Sequence, residues 1–260
     1  MAQEIAMRVV PAAKNPLVRS YLELRSAVGW IALGLPWVLL LTSLMLPAWM
    51  LPGHRPLPAS ISGYYYTPLR NLLVGSLCAI GLFNLCARGY EWRDELAGFV
   101  SAFGAFGLAF CPTFPPGPAT RLQLEMGAAH NYFAEIFFTT LAIMCLALFR
   151  TTASNRALTR RKRRRNLVYT VCGVVMLLCG VFDFFFHRMR PIPHIGPLGS
   201  IFCCEIVALE AFGVAWLVKG KTFLGTPRKN GNHPPPGLPR ANHGTNGAPV
   251  VAEQRSMTGV

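Results

Sequence analysis

Charged residues are scarce in this chain. They make up 14% of its 260 residues and include only 11 acids, whereas 52% of the residues are hydrophobic. Together with a mean hydropathy of +0.38, this shortage of charge excludes an ordinary soluble domain. Strand patterns of alternating polar and apolar residues are missing as well, which argues against an outer-membrane barrel.

The sequence also lacks the cysteine pairs of a zinc site and any segment long enough for a soluble catalytic domain. Its eight cysteines contain no CxxC pair at zinc-ribbon spacing, and none lies in a long external loop. Cysteine is therefore expected as a small apolar packing residue. There is no internal repeat, and the connections between apolar runs leave no room for a separate catalytic domain. Any chemistry must use the helices and their rims.

What the chain does contain is six apolar runs of the length that crosses a bilayer. About 20 helical residues span the ~30 Å hydrocarbon core. Because lipid offers no hydrogen bonds to the backbone, each run must be helical. The six runs are residues 28–51, 69–87, 96–113, 127–150, 167–187 and 195–219. They predict an all-α fold, a polytopic transmembrane bundle of six helices, with a kink at Pro36 in the first helix.

The bundle divides the chain into three parts. Residues 1–26 are predicted to form a cytoplasmic N-terminal segment, and residues 27–220 the six-helix transmembrane domain. Residues 221–260 form a basic tail that is rich in Gly, Pro and Asn. This tail cannot bury enough apolar surface to fold, so we expect it to be disordered and cytoplasmic.

The net charge of +14 is distributed unevenly across this bundle. With the N-terminus inside, 20 of the 25 Lys and Arg residues fall on the cytoplasmic side. This bias predicts an inner-membrane protein with both termini in the cytoplasm. The basic run from Arg160 to Arg165 is expected to contact anionic lipid headgroups. A nucleic-acid patch is the alternative for that run, but no fold around it supports one, so no nucleic-acid partner is expected.

Ionisable residues inside the apolar runs concentrate toward one side of the bundle. Such residues are costly in lipid, so they face the bundle interior or water and are candidates for function. The topology places seven of them in the extracytoplasmic half, while the inner half contributes mainly Glu210. The seven are Arg70, His130, Glu135, Asp183, His187, His194 and Glu205.

Three interpretations fit this asymmetry. In the first, Glu135 and Glu205 pair with Arg70 or with hydroxyl groups and hold the bundle together. In the second, the cluster lines a pocket that opens outward and takes a lipid headgroup, a small solute or a proton. In the third it binds zinc, which in catalytic sites commonly has three protein ligands and an open position. The metal candidates, whose spacing matches no known ligand motif, are His130, Asp183, His187 and His194.

Several stretches together resemble a known group of proteins. In chain order they are "SISGYYYTPLRNLLVGSLCAIGLF", "RGYEWRDELAG", "FCPT", "HNYFAEIFF" and "EIVALEAFGVAWLVKG". This order is similar to that of uncharacterised six-helix bacterial membrane proteins, which are distantly similar to the DRAM-type autophagy modulators. The resemblance implies a six-helix architecture and no reaction. The residues it points to are Ser60, Ser62, Tyr64, Tyr65, Arg70, Arg88, His130, Glu205, Trp216 and Lys219.

The pocket interpretation gives the expected function. We expect a non-enzymatic multi-pass membrane protein with a polar pocket on the extracytoplasmic side, for a lipid or small ligand. The pocket candidates are Ser60, Ser62, Tyr65, Arg70, His130, Glu135 and Glu205. In this interpretation Arg70 pairs with Glu205 or with an anionic group, and His130 is a hydrogen-bond partner that responds to pH. No cofactor is favoured, and a homo-oligomer is left open.

Two alternatives come from other functional classes. The first is a zinc-dependent intramembrane lipid hydrolase, in which the metal activates water. It is suggested by a resemblance to the alkaline ceramidase and adiponectin-receptor superfamily, seven-helix hydrolases with a Ser, an Asp and three His around zinc. This chain has six runs, and its last one lacks the HxxxH of those proteins. The second alternative is a small-solute transporter, although the sequence has no inverted repeat or paired broken helices.

Overall fold

The computed structural model describes residues 16–51, 57–86, 92–150, 159–188, 194–195 and 198–220. Over these residues the chain forms six α-helices, and the prediction of an all-α fold is confirmed. The helices are α1 (Pro16–Met45), α2 (Arg70–Cys86), α3 (Trp92–Phe110), α4 (Arg121–Ile143), α5 (Arg160–Arg188) and α6 (Ser200–Lys219). The predicted disordered tail, residues 221–260, lies outside the described residues.

Short elements connect the helices. Turns of 3₁₀ helix occupy Ala48–Met50 and Ser62–Tyr66, and α4 continues into one π-helical turn at Met144–Leu148. Before α6, two-residue strands β1 (His194–Ile195) and β2 (Leu198–Gly199) pair antiparallel. The rest of the described chain between helices is irregular or turn, so most packing is between helices.

Four of the helices are long and apolar enough to cross a membrane. The four segments are Leu22–Met45, Arg121–Leu148, Arg160–Phe185 and Ser200–Lys219. α2 is apolar but shorter, with 17 residues, and α3 has a charged first turn that contains Asp94 and Glu95. Length and composition therefore support an integral membrane protein.

The apolar side chains of these helices largely point outward. Only 22% of the most apolar window in α5 is buried inside the protein. Leu178, Val181 and Phe184 of that helix are among many large hydrophobic residues that are exposed. A soluble monomer rarely exposes contiguous apolar patches of this extent, whereas lipid covers them without cost. The exposed belt therefore supports a bilayer as the surrounding solvent.

Two helices begin earlier than the apolar runs indicate. α1 begins at Pro16, and proline favours the first helical position because its missing N–H would have no partner there. The predicted boundary after residue 26 therefore lies inside α1. α5 begins at Arg160, within the basic run, because Arg and Lys are good helix formers in spite of their charge.

Successive helices alternate in direction, which gives the bundle two chemically different ends. At one, the polar end, the Ser43 and Tyr64 hydroxyls are 3.0 Å apart and the Glu205 side chain accepts a hydrogen bond from the Ile61 N–H. At the other, the basic end, the Lys219 ammonium lies 4.3 Å from the centroid of the Phe149 ring, which follows the π-helical turn after α4. The C-terminus of α1 and the N-termini of α4 and α6 thus share the polar end.

A ladder of aromatic rings runs along the inner face of α6. The ring centroids of Phe212 and Trp216 are 4.6 Å apart. Phe137 of α4 lies 5.8 Å from Phe212, and Phe149 lies 4.9 Å from Trp216. Edge-on aromatic contacts of this kind add to the energy of burial. They fix α4 and α6 relative to each other, and so fix the residues at the polar end.

Candidate functional site

The polar end is capped by the segment "SISGYYYT", whose centre is the 3₁₀ turn Ser62–Tyr66. Its own side chains form the turn. The Gly63 N–H donates to Ser60 Oγ over 3.0 Å, and the Thr67 hydroxyl donates to the Tyr64 carbonyl over 2.7 Å. These short polar side chains compete with a longer helix and favour a tight turn. We call Ser60–Thr67 the capping segment.

The three consecutive tyrosines of the capping segment make three different contacts. Tyr64 is fully buried against Ser43 of α1, and burial raises the pKa of its phenol above the ordinary value of 10.0, while the hydrogen bond with Ser43 opposes that rise. Tyr66 donates from its hydroxyl to the Thr113 carbonyl over 2.6 Å. Tyr65 packs beneath the guanidinium of Arg70. The segment is therefore fastened to α1 and to the α3–α4 connection.

Ser62 and the buried His130 form a partly buried hydrogen-bonded pair. His130 Nε2 lies 2.9 Å from Ser62 Oγ, and Nδ1 lies 2.7 Å from the Cys111 carbonyl oxygen. A carbonyl can only accept, so Nδ1 carries a proton, and in the neutral ring Nε2 accepts from the serine hydroxyl. His130 lies on α4, and the first turn of that helix is stabilised by a capping box. The Thr120 side chain accepts from the Gln123 N–H, and the Gln123 side chain accepts from the Thr120 N–H.

A cavity of about 70 Å³ lies directly beneath the capping segment. Its polar lining consists of Ser62, Glu135, Asp183 and Glu205, together with the thiols of Cys179 and Cys204. The three carboxylates come from α4, α5 and α6, respectively. A volume of this size has room for several waters or a small polar group. We call it the acidic cavity.

The acidic cavity favours positive charge. It has three carboxylates in its lining, and no Lys or Arg is among the described residues that line it. One of the carboxylates, Glu205, accepts the Ile61 N–H. Carboxylates at membrane depth are stabilised by protons, by hydrogen bonds or by a nearby cation. An anionic group placed in the cavity would be repelled by all three.

An apolar groove adjoins the acidic cavity between α4 and α5. It has a volume of about 130 Å³ and shares Glu135, Phe138 and Gly180 with the cavity. Its outer wall contains Phe184 and Phe185, which are exposed on the surface that faces lipid. We call it the side groove. The cavity and the groove thus meet at Glu135.

The structure brings part of the predicted pocket together. Ser62, Glu135 and Glu205 line the acidic cavity, and His130 reaches it through Ser62. Ser60 instead holds the turn of the capping segment.

Arg70 and Tyr65 contact each other outside the cavity. Arg70 Nη2 donates to the Tyr65 hydroxyl over 2.6 Å, and its guanidinium carbon lies 4.2 Å from the ring centroid. Arg70 is exposed and does not line the acidic cavity. Its predicted pairing with Glu205 has no counterpart in these contacts, because the capping segment directs Arg70 back onto Tyr65.

The zinc candidates are placed as follows. Asp183 lines the acidic cavity, and both ring nitrogens of His130 are engaged by Ser62 and Cys111. The side chains of His187 and His194 lie outside the described residues. Among the side chains that the structure does describe, no three from His, Cys, Asp and Glu are arranged to hold one metal ion.

Two cavity residues escaped the sequence interpretation, Cys179 and Cys204. Cys179 lies one helical turn before Asp183, and Cys204 precedes Glu205 in α6. The i, i+4 spacing of Cys179 and Asp183 was a readable signal. The sequence analysis assigned the cysteines to packing and grouped Asp183 with three histidines as a metal candidate instead.

Ser62 and His130 also have the geometry of a nucleophile and its base, but the neighbouring donors are occupied. Catalysis through serine needs N–H groups that stabilise a developing oxyanion. The N–H groups on either side of Ser62 belong to Ile61 and Gly63. The first donates to Glu205 and the second to Ser60. This arrangement favours binding over acyl transfer.

Comparisons with protein-family models, with curated proteins and with solved structures found no match to this chain.

Proposed function

We propose that this chain is a six-span inner-membrane protein that binds a small cationic ligand, an organic amine or the amine headgroup of an amphiphile, in the acidic cavity. The observation that carries the proposal is that carboxylates from three helices, Glu135, Asp183 and Glu205, line one cavity. A protonated amine supplies both the positive charge and the N–H donors that carboxylates accept.

The charge distribution supports the orientation in this proposal. The basic end holds cations from α1, α5 and α6, including Arg25, Lys162 and Lys219. Cytoplasmic ends of membrane helices are rich in Lys and Arg, so the basic end faces the cytoplasm and the acidic cavity lies toward the extracytoplasmic side. Because six helices of alternating direction return the chain to its starting side, both termini are cytoplasmic.

The side groove supports an amphiphilic ligand over a purely polar one. It joins the cavity at Glu135 and continues along Phe138 and Phe184 toward the lipid-facing surface. An amine in the cavity would leave an attached apolar group in this groove. Burial of that group adds roughly 25 cal/mol for each Å² of apolar surface removed from water.

Fluorescence titration tests the proposal. The protein in phosphatidylcholine nanodiscs is titrated with dansylcadaverine, which carries an amine, and with dansylglycine, which carries a carboxylate. We expect saturable binding of the amine only. Glu135→Gln, Asp183→Asn and Glu205→Gln should each weaken it by about tenfold, which corresponds to ~1.4 kcal/mol.

The matched control is Glu210→Gln. Glu210 lies on α6 like Glu205, but its carboxylate accepts from the Trp37 indole over 2.6 Å and does not line the cavity. This variant should bind dansylcadaverine as the wild type does. Equal affinity for the amine and the acid, or loss of binding in the control alone, would contradict the proposal.

A further inference from the structure

Three cationic side chains converge at the basic end of the bundle, around Phe149. The Lys219 ammonium lies 4.3 Å from the centroid of the Phe149 ring. Lys162 donates from its ammonium to the Phe149 carbonyl over 3.3 Å. Arg165 approaches the Tyr169 hydroxyl to 3.4 Å, and the Tyr169 ring lies 5.4 Å from that of Phe149. Two helices, α5 and α6, thus place cationic side chains next to the rings of Phe149 and Tyr169.

More cations than carboxylates act on Lys219. The charge of Lys219 interacts with those of Arg25, Lys162 and Arg165, and with one carboxylate, Asp94. All four cationic residues are partly buried rather than fully exposed. Like charges in a partly desolvated place repel one another strongly. The surplus of positive charge among these groups is stabilised when an anion sits between them.

One N–H donor in the same cluster lacks an acceptor within the described part of the chain. Arg165 Nε is buried and has no hydrogen-bond partner among the described residues. A buried N–H without an acceptor costs about 1–3 kcal/mol. A phosphate oxygen is a strong acceptor for guanidinium N–H groups, and ammonium groups bind phosphate as point charges.

The basic run of α5 divides its cations between two faces. Lys162 and Arg165, at i and i+3, lie on one face and are half-buried toward Phe149. Arg163 and Arg164 lie between them in sequence and are exposed.

We infer that Lys162, Arg165 and Lys219 form a binding site for a phosphate group, that of an anionic phospholipid headgroup in the leaflet next to the basic end. The beginning of α5 adds the positive end of its helix dipole to the site. Basic pockets between membrane helices on the cytoplasmic side bind anionic headgroups through this chemistry. The site lies at the opposite end of the bundle from the acidic cavity, so its test is independent of amine binding.

Native mass spectrometry of the full chain in detergent tests the site. The protein is titrated with phosphatidylglycerol or phosphatidylcholine, and the bound lipid is counted. The double variant Lys162→Gln with Arg165→Gln is compared with Arg163→Gln with Arg164→Gln, which removes the same charge from the same helix turn. We expect the first pair to weaken phosphatidylglycerol binding about tenfold or more and the second about twofold or less.

A competition with inorganic phosphate and a variant on α6 complete the test. Inorganic phosphate that displaces the lipid from the wild type identifies free phosphate as a ligand of the same site, whereas lipid that stays bound identifies the headgroup as the source. Lys219→Gln on α6 should reproduce the loss if the α5 double variant does not elute as a folded species. Equal weakening by both α5 pairs, or no preference of the wild type for phosphatidylglycerol, would overturn the site in favour of diffuse attraction.

Discussion

Buried polar side chains at the polar end each have a specific partner. His130 is only 5% exposed, and its ring joins the end of α3 to the capping segment through Cys111 and Ser62. Removing one partner of a buried hydrogen bond costs more than the bond contributes, because the other partner stays desolvated. The contacts of His130 should therefore be visible in stability measurements.

His130→Ala should destabilise the protein by about 2 kcal/mol, because two partly buried groups lose their partner. Ser62→Ala removes one of the two bonds and should cost about 1 kcal/mol. Tyr132→Ala, an exposed position on the same helix, is the control and should change little. Thermal unfolding in detergent measures all three. An alanine at position 130 that leaves the melting temperature unchanged would show that these bonds do not hold the polar end.

Tyr64 gives a pH prediction. Burial raises the pKa of its phenol in the folded protein, while an unfolded tyrosine titrates near its ordinary value of about 10. The folded state therefore holds the proton more tightly, and stability falls as the pH rises above about 10. Tyr64→Phe removes this component, so its stability should decline less between neutral and alkaline pH than that of the wild type. Parallel declines of the two proteins would contradict the assignment.

The sequence can predict the approximate depth of a side chain along the bundle but not its direction. The topology placed Glu135 and Glu205 in the same half of the bundle, and both line the acidic cavity. Arg70 and Tyr65 could not be placed in this way, because their directions depend on the 3₁₀ turn and on the contact they make with each other. Side-chain direction in a short turn has no periodic signal in the sequence.

At the scale of helices, α1 and α6 approach each other through facing glycines. A Cβ atom on Gly29 would lie 2.9 Å from the Gly213 carbonyl oxygen, and a Cβ on Gly213 would lie 2.9 Å from the Gly29 carbonyl oxygen. Small residues allow such close contacts between membrane helices. This contact sets the position of α6, which carries Glu205 and the aromatic ladder.

Gly29→Ala should therefore destabilise the bundle by about 1–3 kcal/mol, because the added methyl meets backbone and the side chain of Leu217. Gly34→Ala is the matched control on the same helix, since no atom lies within 4 Å of its added Cβ. The control should be neutral or stabilising by up to about 1 kcal/mol, owing to helix propensity. Chemical unfolding in detergent measures the free energy of unfolding of both variants. A loss of stability in Gly34→Ala as large as that in Gly29→Ala would contradict the close contact.

The predicted lengths of the helices were less accurate than their number. Hydropathy marks only the apolar part of a helix, so α5 was predicted from residue 167, whereas it begins at Arg160. The division of its basic turn into a buried and an exposed face also has no counterpart in a hydropathy profile. It depends on where Phe149 and Tyr169 lie in three dimensions.

At the scale of the whole molecule, the account depends on six crossings with the basic end in the cytoplasm. A reporter fused after Val260 should then be cytoplasmic, and one inserted between Pro116 and Gly117, in the α3–α4 connection, should be extracytoplasmic. A third reporter, inserted after Gly89 in the α2–α3 connection, should also be cytoplasmic. Paired alkaline phosphatase and green fluorescent protein fusions measure all three positions. An extracytoplasmic reporter after Gly89 would show that α2 and α3 do not both cross, and reporters at Pro116 and Val260 that fall on the same side would show that α4, α5 and α6 do not all cross.

The two native thiols of the acidic cavity report directly on its proposed attraction for cations. Cys179 and Cys204 line the cavity. The cationic reagent 2-aminoethyl methanethiosulfonate and the anionic 2-sulfonatoethyl analogue modify thiols by the same chemistry. Peptide mass mapping gives the rate at each cysteine, and the cation-to-anion ratio is compared with that of free 2-mercaptoethanol.

We expect a ratio at Cys179 and Cys204 at least about tenfold above that of the free thiol, equivalent to ~1.4 kcal/mol of attraction. The ratio should fall toward the free-thiol value in Glu205→Gln and stay high in Glu210→Gln. A ratio at both cysteines that equals or falls below the free-thiol value would show that the acidic cavity does not attract cations.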